Sequence, residues 1–390
     1  MQLDPQIKSE LEKQQYRFVG DHNHSAVKIC GWTKKMVKGE GGCYKLKFYG
    51  IMSNQCMQMT TSMSCANRCT FCWRGKKAPV SKEWKWEIDD PLLIFKESQV
   101  AHHKLLAGYK GSPNVNMNAY NASKQVRHVA LSLTGEPITY PRINELIDQF
   151  HQHKISTFLV TNATYPDQIR DLRPITQLYI SVDASNKELL KLVDLPLFKD
   201  YWERLNTSLE YMATKTYRTC IRLTMIKDIN MIEPENYAQL INKGDPDFIE
   251  VKAYMHVGAS TKRLKKENMP LYEEVLEFSK SLLPFLPDYE IVSEHIPSRV
   301  VLLAKTKFRL EDGWYTWIDF PRFHELVQTR EEIRTENFLR KTPKTGLSGL
   351  GTLNYTRNKR GKLVLNEEKE EVDIKVNEKT SELEFWTDSK

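Results

Sequence analysis

From residue 127 the chain falls into a repeated rhythm of apolar runs and amphipathic stretches. RHVALSL (127–133), ISTFLVTN (155–162), QLYISVDAS (177–185), RTCIRLTMI (218–226), FIEVKAYM (248–255) and YEIVSE (289–294) are short, apolar and rich in β-branched residues. That is the pattern of buried strands. Between them apolar residues recur at helical spacing: Ile143, Leu146, Ile147 and Phe150, then Leu189, Leu190 and Val193, then Val275, Leu276 and Phe278. Further helices are expected over 90–106, opened by the cap Asp90 and Pro91, and over 231–243. Ser185 and Glu188 have capping-box spacing ahead of the Leu189 helix.

Strand–loop–helix units in series predict an α/β fold, a parallel sheet with helices outside, barrel-like or doubly wound. In both, loops after the carboxyl ends of strands form the ligand face. Those loops carry Thr134-Gly135-Glu136, Asn162, Asp183, Ser185, Lys227, Asn230 and His256. Turn chemistry alone accounts for any one of these residues, but less readily for the set. Residues 1–60 show no sustained period and read as irregular, with a short helix near 7–15. Residues 299–320 read as a two-stranded hairpin with aromatics at its tip. The charged tail, 341–390, is expected to hold a short hairpin around 350–366 and to fray at its end.

The chain has 390 residues, 40% hydrophobic and 27% charged, an ordinary globular composition. A net charge of +7, from 57 basic and 50 acidic residues, permits a polyanionic partner without requiring one. Basic residues cluster at Lys34-Lys35-Lys38, Arg74-Lys76-Lys77 and Lys262-Arg263-Lys265-Lys266, as a solvated face or a phosphate contact would. No apolar stretch approaches membrane-helix length, and the N-terminus lacks an apolar signal core, so a cytoplasmic protein is expected.

The seven cysteines change the picture. A reducing cytosol disfavours disulfides, so clustered thiols point to metal or redox chemistry. SMSCANRCTFCWRG (62–75) places Cys65, Cys69 and Cys72 in eight positions. Structural zinc usually takes four ligands. An iron–sulfur cluster held by three thiolates keeps one iron open. Upstream, Cys30, Cys43 and Cys56 are each separated from the next by twelve residues, either small buried hydrophobes or a second three-thiol site.

The C-x3-C-x2-C run, with Phe71 before its last cysteine, resembles the signature of radical S-adenosylmethionine (SAM) enzymes. LSLTGEP (131–137) is similar to that family's Gly-Glu loop, with Thr134 where a second glycine is usual. The resemblance implies a partial (β/α)6 TIM-like barrel, although the strands alone leave an eight-stranded barrel open. It implies that Gly135, Glu136, Ser181, Asp183 and Ser185 face the cofactor. Together with KFYG (47–50), IMSNQCMQMTTSMSCANRCTFCWR and DFIEVKAYMHVG (247–258), the upstream cysteines extend the likeness to the archaeal form of the 4-demethylwyosine synthase family. It covers roughly residues 20–330.

That family implies two [4Fe-4S] clusters, on Cys30, Cys43 and Cys56 and on Cys65, Cys69 and Cys72, with SAM on the second set. Its substrates would be tRNA(Phe) bearing N1-methylguanosine at position 37, and pyruvate. The methyl group would lose a hydrogen, its carbon would add to the pyruvate carbonyl carbon, the carboxyl carbon would leave, and ring closure would give the tricyclic base. Lys45 would hold pyruvate as a Schiff base; Lys47 competes for that role if the segment is extended. The eukaryotic form carries a flavodoxin-like domain in front that has no counterpart here, so an external donor such as flavodoxin or ferredoxin is expected, serving a monomer without membrane contact. The expected organisation is an extension over 1–60, a barrel over 61–298 and a C-terminal extension over 299–390. Two alternatives remain: a two-cluster methylthiotransferase acting on tRNA, and a non-catalytic iron–sulfur electron-transfer or RNA-binding protein.

Overall fold

Every apolar run becomes a strand. The computed structural model describes residues 2–347 and, beyond them, only the strands Tyr355–Arg357, Leu363–Leu365, Asp373–Val376 and Leu383–Trp386. Ten strands form one sheet: β1 (Arg17–Val19), β2 (Ser25–Lys28), β3 (Cys56–Thr60), β4 (His128–Leu131), β5 (Ser156–Thr161), β6 (Gln177–Ser181), β7 (Thr219–Met225), β8 (Phe248–Ala253), β9 (Tyr289–His295) and β10 (Val300–Lys305). From β3 to β8 each strand pairs parallel with the next in chain order. Antiparallel strands flank this set, β2 and β1 on one side, β10 and then β9 on the other. The six parallel strands are the expected partial (β/α)6 barrel.

The helices are α1 (Pro5–Lys13), α2 (Gly31–Val37), α3 (Tyr44–Tyr49), α4 (Pro91–Ala107), α5 (Met117–Ser123), α6 (Ile143–Gln152), α7 (Pro166–Arg170), α8 (Lys187–Asp194), α9 (Tyr201–Ala213), α10 (Pro234–Gly244), α11 (Tyr272–Leu282) and α12 (Phe320–Thr329). The expected cap of α4 is present: Asp90 Oδ1 accepts from the amides of Leu92 and Leu93. In α6 the buried residues are the expected Ile143, Leu146, Ile147 and Phe150, with His151. Asn186, not Ser185, caps α8, accepting from Leu189 N at 2.8 Å.

Residues 1–60 are not irregular beyond the expected short helix, which is α1: they also fold into β1, β2, α2, α3 and β3. Each piece is too short to show a period of its own. The 299–320 segment also differs from its expected hairpin. β10 turns back to pair with β8 and β9, because its five buried positions complete the sheet instead of an isolated ribbon. The hairpin expected at 350–366 matches the antiparallel pair Tyr355–Arg357 and Leu363–Leu365, whereas the expected fraying falls on residues outside those described. The sheet runs unbroken across 60/61 and 298/299.

Along the parallel strands the partly exposed positions are Cys56 and Gln58 on β3, Val160 on β5, Ser181 on β6, Arg222 and Thr224 on β7 and Lys252 on β8. Register partners in a sheet point to the same side. Ser181 pairs with Arg222, and Thr224 with Lys252. These residues therefore line an accessible lumen while their neighbours are sealed against the helices. At the other end α12 closes the barrel, with Phe320 against the His128 ring and Phe323 against His151.

Candidate active site

The loop after β3 carries the first three thiols. Its backbone is held from two directions. The end of α8 accepts through Val193 O from Thr70 N (2.8 Å) and through Asp194 O from Arg68 N (3.0 Å). The Arg263 guanidinium donates to the carbonyls of Thr70 and Cys72. Cys65 Sγ accepts from Asn162 Nδ2 at 3.3 Å and from Asn67 N at 3.4 Å. Burial pushes the Cys65 thiol up to about 12, with the Arg74 charge opposing. Cys69 is also raised, first by burial, then by Asp194, Cys72 and Cys65, so the three thiols lie within one another's field. A cavity of about 410 Å³ opens beside them, lined by Asn67, Cys69, Cys72, Arg74 and Arg263 among others.

The Gly-Glu loop faces the same mouth. Gly135 has φ +66°, and a Cβ there would lie 1.8 Å from Ser62 O, so this backbone conformation and this close approach require glycine. Glu136 is buried; its Oε2 accepts from Asn162 N at 3.2 Å, and its Oε1 has no partner. Burial raises its carboxyl to about 7. Asp183, after β6, accepts from Thr224 N at 3.2 Å and is raised to about 6, again chiefly by burial. Ser181 faces the lumen from the end of β6. Ser185 is turned to Glu233, donating at 2.7 Å to Oε2. Asp183 and Glu136 are also engaged by scaffold side chains, those of Thr224 and Thr161.

The second three thiols occupy the opposite end of β3. The strand rises about 3.3 Å per residue, so its two ends are roughly 13 Å apart. Cys30 immediately precedes α2, Cys43 immediately precedes α3, and Cys56 begins β3. Residues 26 positions apart are thus gathered by two short helices returning to one strand. Burial pushes Cys56 up to about 12, against the pull of Lys45, with Cys43 and Cys30 adding to the rise. Ser53 ties the pieces together: its Oγ accepts from Cys43 N at 2.9 Å, and its carbonyl accepts from Thr33 Oγ1 at 2.7 Å.

Lys45 and Lys47 part company. The segment is helical, not extended, and residues two apart on a helix face away from each other. The Lys45 ammonium points into the lumen, 5.0 Å from the Tyr179 ring centroid and 5.9 Å from that of Phe158. Lys47 lies toward Glu294 and His295 on β9, and burial lowers its pKa.

Sequence reading missed Asp194, Arg222, Glu250, Lys252 and the role of Arg263. Arg222 Nε pairs with Glu250 Oε2 at 2.9 Å inside the lumen, and Arg222 Nη2 donates to Tyr44 OH at 3.0 Å. Glu250 is fully buried and accepts from Tyr49 OH as well. A signal was present: charges at alternate positions of otherwise apolar strands, RTCIRLTMI and FIEVKAYM, mark the lumen face. Asp194 and Arg263 carried no such signal. Arg263 sat within a basic run that read as a phosphate contact, yet its guanidinium is bound to the cysteine loop.

The donor chemistry fits iron–sulfur clusters. Each place gathers three thiols, and unpartnered buried oxygens, Glu136 Oε1 and Asp194 Oδ1, stand at the first. Among the described residues no three His, Cys, Asp or Glu side chains converge as they would on a single metal ion.

Residues 59–241 match the family model described as "Radical SAM superfamily", and 243–305 match "Wyosine base formation". The chain is similar to the S-adenosyl-L-methionine-dependent tRNA 4-demethylwyosine synthase TYW1 of Mus musculus, 46% identical over 354 residues, covering 89% of this chain and 49% of that protein. It is 49% identical to the synthase of Oryza sativa subsp. japonica over 350 residues, covering 89% of this chain and 53% of that protein. The chain thus spans about half the length of these curated relatives. A solved structure described as "Structure of TYW1 with a lysine-pyruvate adduct bound" superposes with a TM-score of 0.70 at 35% identity, over 79% of this chain and 98% of the other. A "Crystal structure of archaeal TYW1" gives 0.65 at 33%, over 81% and 100%.

Proposed function

The chain belongs to the TYW1 family of radical SAM proteins, and from that premise we propose that it condenses N1-methylguanosine at position 37 of tRNA(Phe) with pyruvate to form 4-demethylwyosine. One observation carries this reading. Lys45 sits in the barrel lumen within the field of Cys56 and Cys30, while the other three thiols lie at the far end of the same strand. The match of 243–305 to wyosine base formation supports it over a methylthiotransferase or a non-catalytic protein.

Cys65, Cys69 and Cys72 would hold one [4Fe-4S] cluster, and Cys30, Cys43 and Cys56 a second. SAM on the first cluster would supply a carbon radical able to take hydrogen from the N1-methyl group. The rest is work for this chain's side chains. The unpartnered Glu136 Oε1 would accept from the cofactor amine, the Gly135 backbone would let the cofactor approach, and Ser181 and Asp183 would line the same mouth, with Ser185 held beside it by Glu233. Lys45 condenses with the pyruvate carbonyl, releasing water, and fixes the electrophilic carbon in the lumen. Exposed Arg68, Lys76, Lys77, Lys262, Lys265 and Lys266 ring the mouth as phosphate contacts for tRNA. Trp73, stacked on Tyr16 beneath Lys28, offers an aromatic surface beside the loop.

No described helix is long and apolar enough to cross a membrane. A cytoplasmic monomer, reduced by flavodoxin or ferredoxin, completes the proposal. The test is anaerobic turnover of the reconstituted chain with N1-methylguanosine-containing tRNA and isotopically labelled pyruvate. The expected result is label in a tricyclic base, six protein thiols holding two clusters by Mössbauer counting, and borohydride trapping of pyruvate that Lys45→Ala abolishes. Undiminished trapping in Lys45→Ala, or one cluster per chain with full turnover, would overturn it.

A further inference from the structure

Lys252 is the lumen cation that the reading above leaves unused. It lies on β8 two residues beyond Glu250, one step nearer the cofactor mouth, on the same face as its register partner Thr224. Its side chain is partly exposed within a strand whose other residues are sealed. Among the described residues its ammonium makes no hydrogen bond or ion pair, whereas neighbouring Arg222 is held by Glu250 and Tyr44. A largely buried lysine without a partner is costly to keep charged, and burial with the Arg222 charge brings it down to about 8.

The surroundings indicate what would satisfy it. Lys45 and Arg222 lie 5.0 and 4.7 Å from the centroid of the same Tyr179 ring. With Lys252 they place three cations in the lumen against two carboxylates, Glu250 and, at the mouth, Asp183. On the far side Lys252 is felt by His295, with Lys47 and Lys35 nearby. The enclosed space is therefore short of negative charge next to the amine that would take the ketoacid. Arg222 already has its partners and Lys45 is the condensing amine, which leaves Lys252 free to receive an anion.

We propose that Lys252 binds the carboxylate of the 2-oxo acid held at Lys45, and so selects a ketoacid over a neutral carbonyl compound. This rests on the ketoacid reading of Lys45. A charge-assisted hydrogen bond in an enclosed site favours the carboxylate by about 10- to 100-fold over a neutral group of the same shape. The carboxylate also cancels part of the lumen's positive excess, which orders the steps: the acid enters the charged lumen first, and imine formation follows.

The experiment is borohydride trapping on the anaerobically reconstituted protein, with pyruvate and with methyl pyruvate, a neutral ester of the same carbonyl. Adducts are quantified by intact mass and located by peptide mapping. Wild type should reach half-saturation with pyruvate at roughly 10- to 100-fold lower concentration than with the ester. Lys252→Met should lose that preference while trapping the ester unchanged, and Lys252→Arg should restore part of it. A preserved preference in Lys252→Met overturns the assignment and leaves the ketoacid reading intact. Equal loss of both adducts also overturns it, in favour of a packing role. Absence of any Lys45 adduct in wild type overturns the ketoacid reading and this inference together.

Discussion

Glycine at 135 and lysine at 45 show how single positions decide chemistry here. Replacing Gly135 by alanine sets a Cβ against Ser62 O and strains a backbone at φ +66°. The expected cost is about 3 kcal/mol or more. A urea titration reads the stability, and loss of 5′-deoxyadenosine release from SAM reads the site. Lys47 offers the opposite test. Its ammonium lies toward Glu294 and His295 on β9, so Lys47→Ala should leave the pyruvate adduct at Lys45 undiminished, checked by mass after borohydride. The lumen pair is more sensitive. Glu250→Gln leaves Arg222 without its carboxylate beside Lys45 and Lys252, and breaking a buried ion pair from one side costs about 3–5 kcal/mol. A lowered urea midpoint with an unchanged slope is the expected readout.

At the scale of elements, the second three-thiol group depends on how two short helices are tied to β3. Ser53 makes both ties, receiving Cys43 N on its hydroxyl and Thr33 on its carbonyl. Ser53→Ala removes one hydrogen bond and should lower stability by about 1 kcal/mol. Cys43 is then less firmly placed, so iron content after anaerobic reconstitution should fall toward that of a single cluster. These elements were the least legible ones. α2 and α3 have seven and six residues, too few for a hydrophobic period to emerge. The long units from β4 to α11 were legible because each carries a buried face of its own. α7 and α9 went unnoticed between them, as did α5 just before β4. The capping-box reading at Ser185 failed because a residue 48 positions away, Glu233, claims that hydroxyl.

Across the whole molecule, buried histidines set the response to acid. Burial holds His102, His128 and His151 down to about 3, and His324 to about 4. Unfolded, each titrates near 6.5, so below that pH the unfolded chain binds protons that the folded chain refuses. Each such group lowers stability by about 1.4 kcal/mol per pH unit as pH falls from about 6.5. Glu136 and Asp183, raised to about 7 and about 6, act in the opposite sense, but the histidines outnumber them. Urea-derived stability should fall between pH 6.5 and 5, and His151→Gln should flatten that slope by about one proton. Equal slopes in the two proteins would refute the attribution.

The strands β4 to β8, the helices α4, α6, α8, α10 and α11 and the crowding of Cys65, Cys69 and Cys72 were determined by the sequence itself. Each depends on neighbours a few positions apart, where periodicity and spacing are visible. Only the tertiary structure decided which lysine faces the lumen, that Asp194 and Arg263 grip the cysteine loop, and that Arg222, Glu250 and Lys252 share one interior. Those outcomes come from chain segments tens to hundreds of residues apart being pressed together by burial. Neither a single segment's pattern nor its charge records which distant partner it will meet.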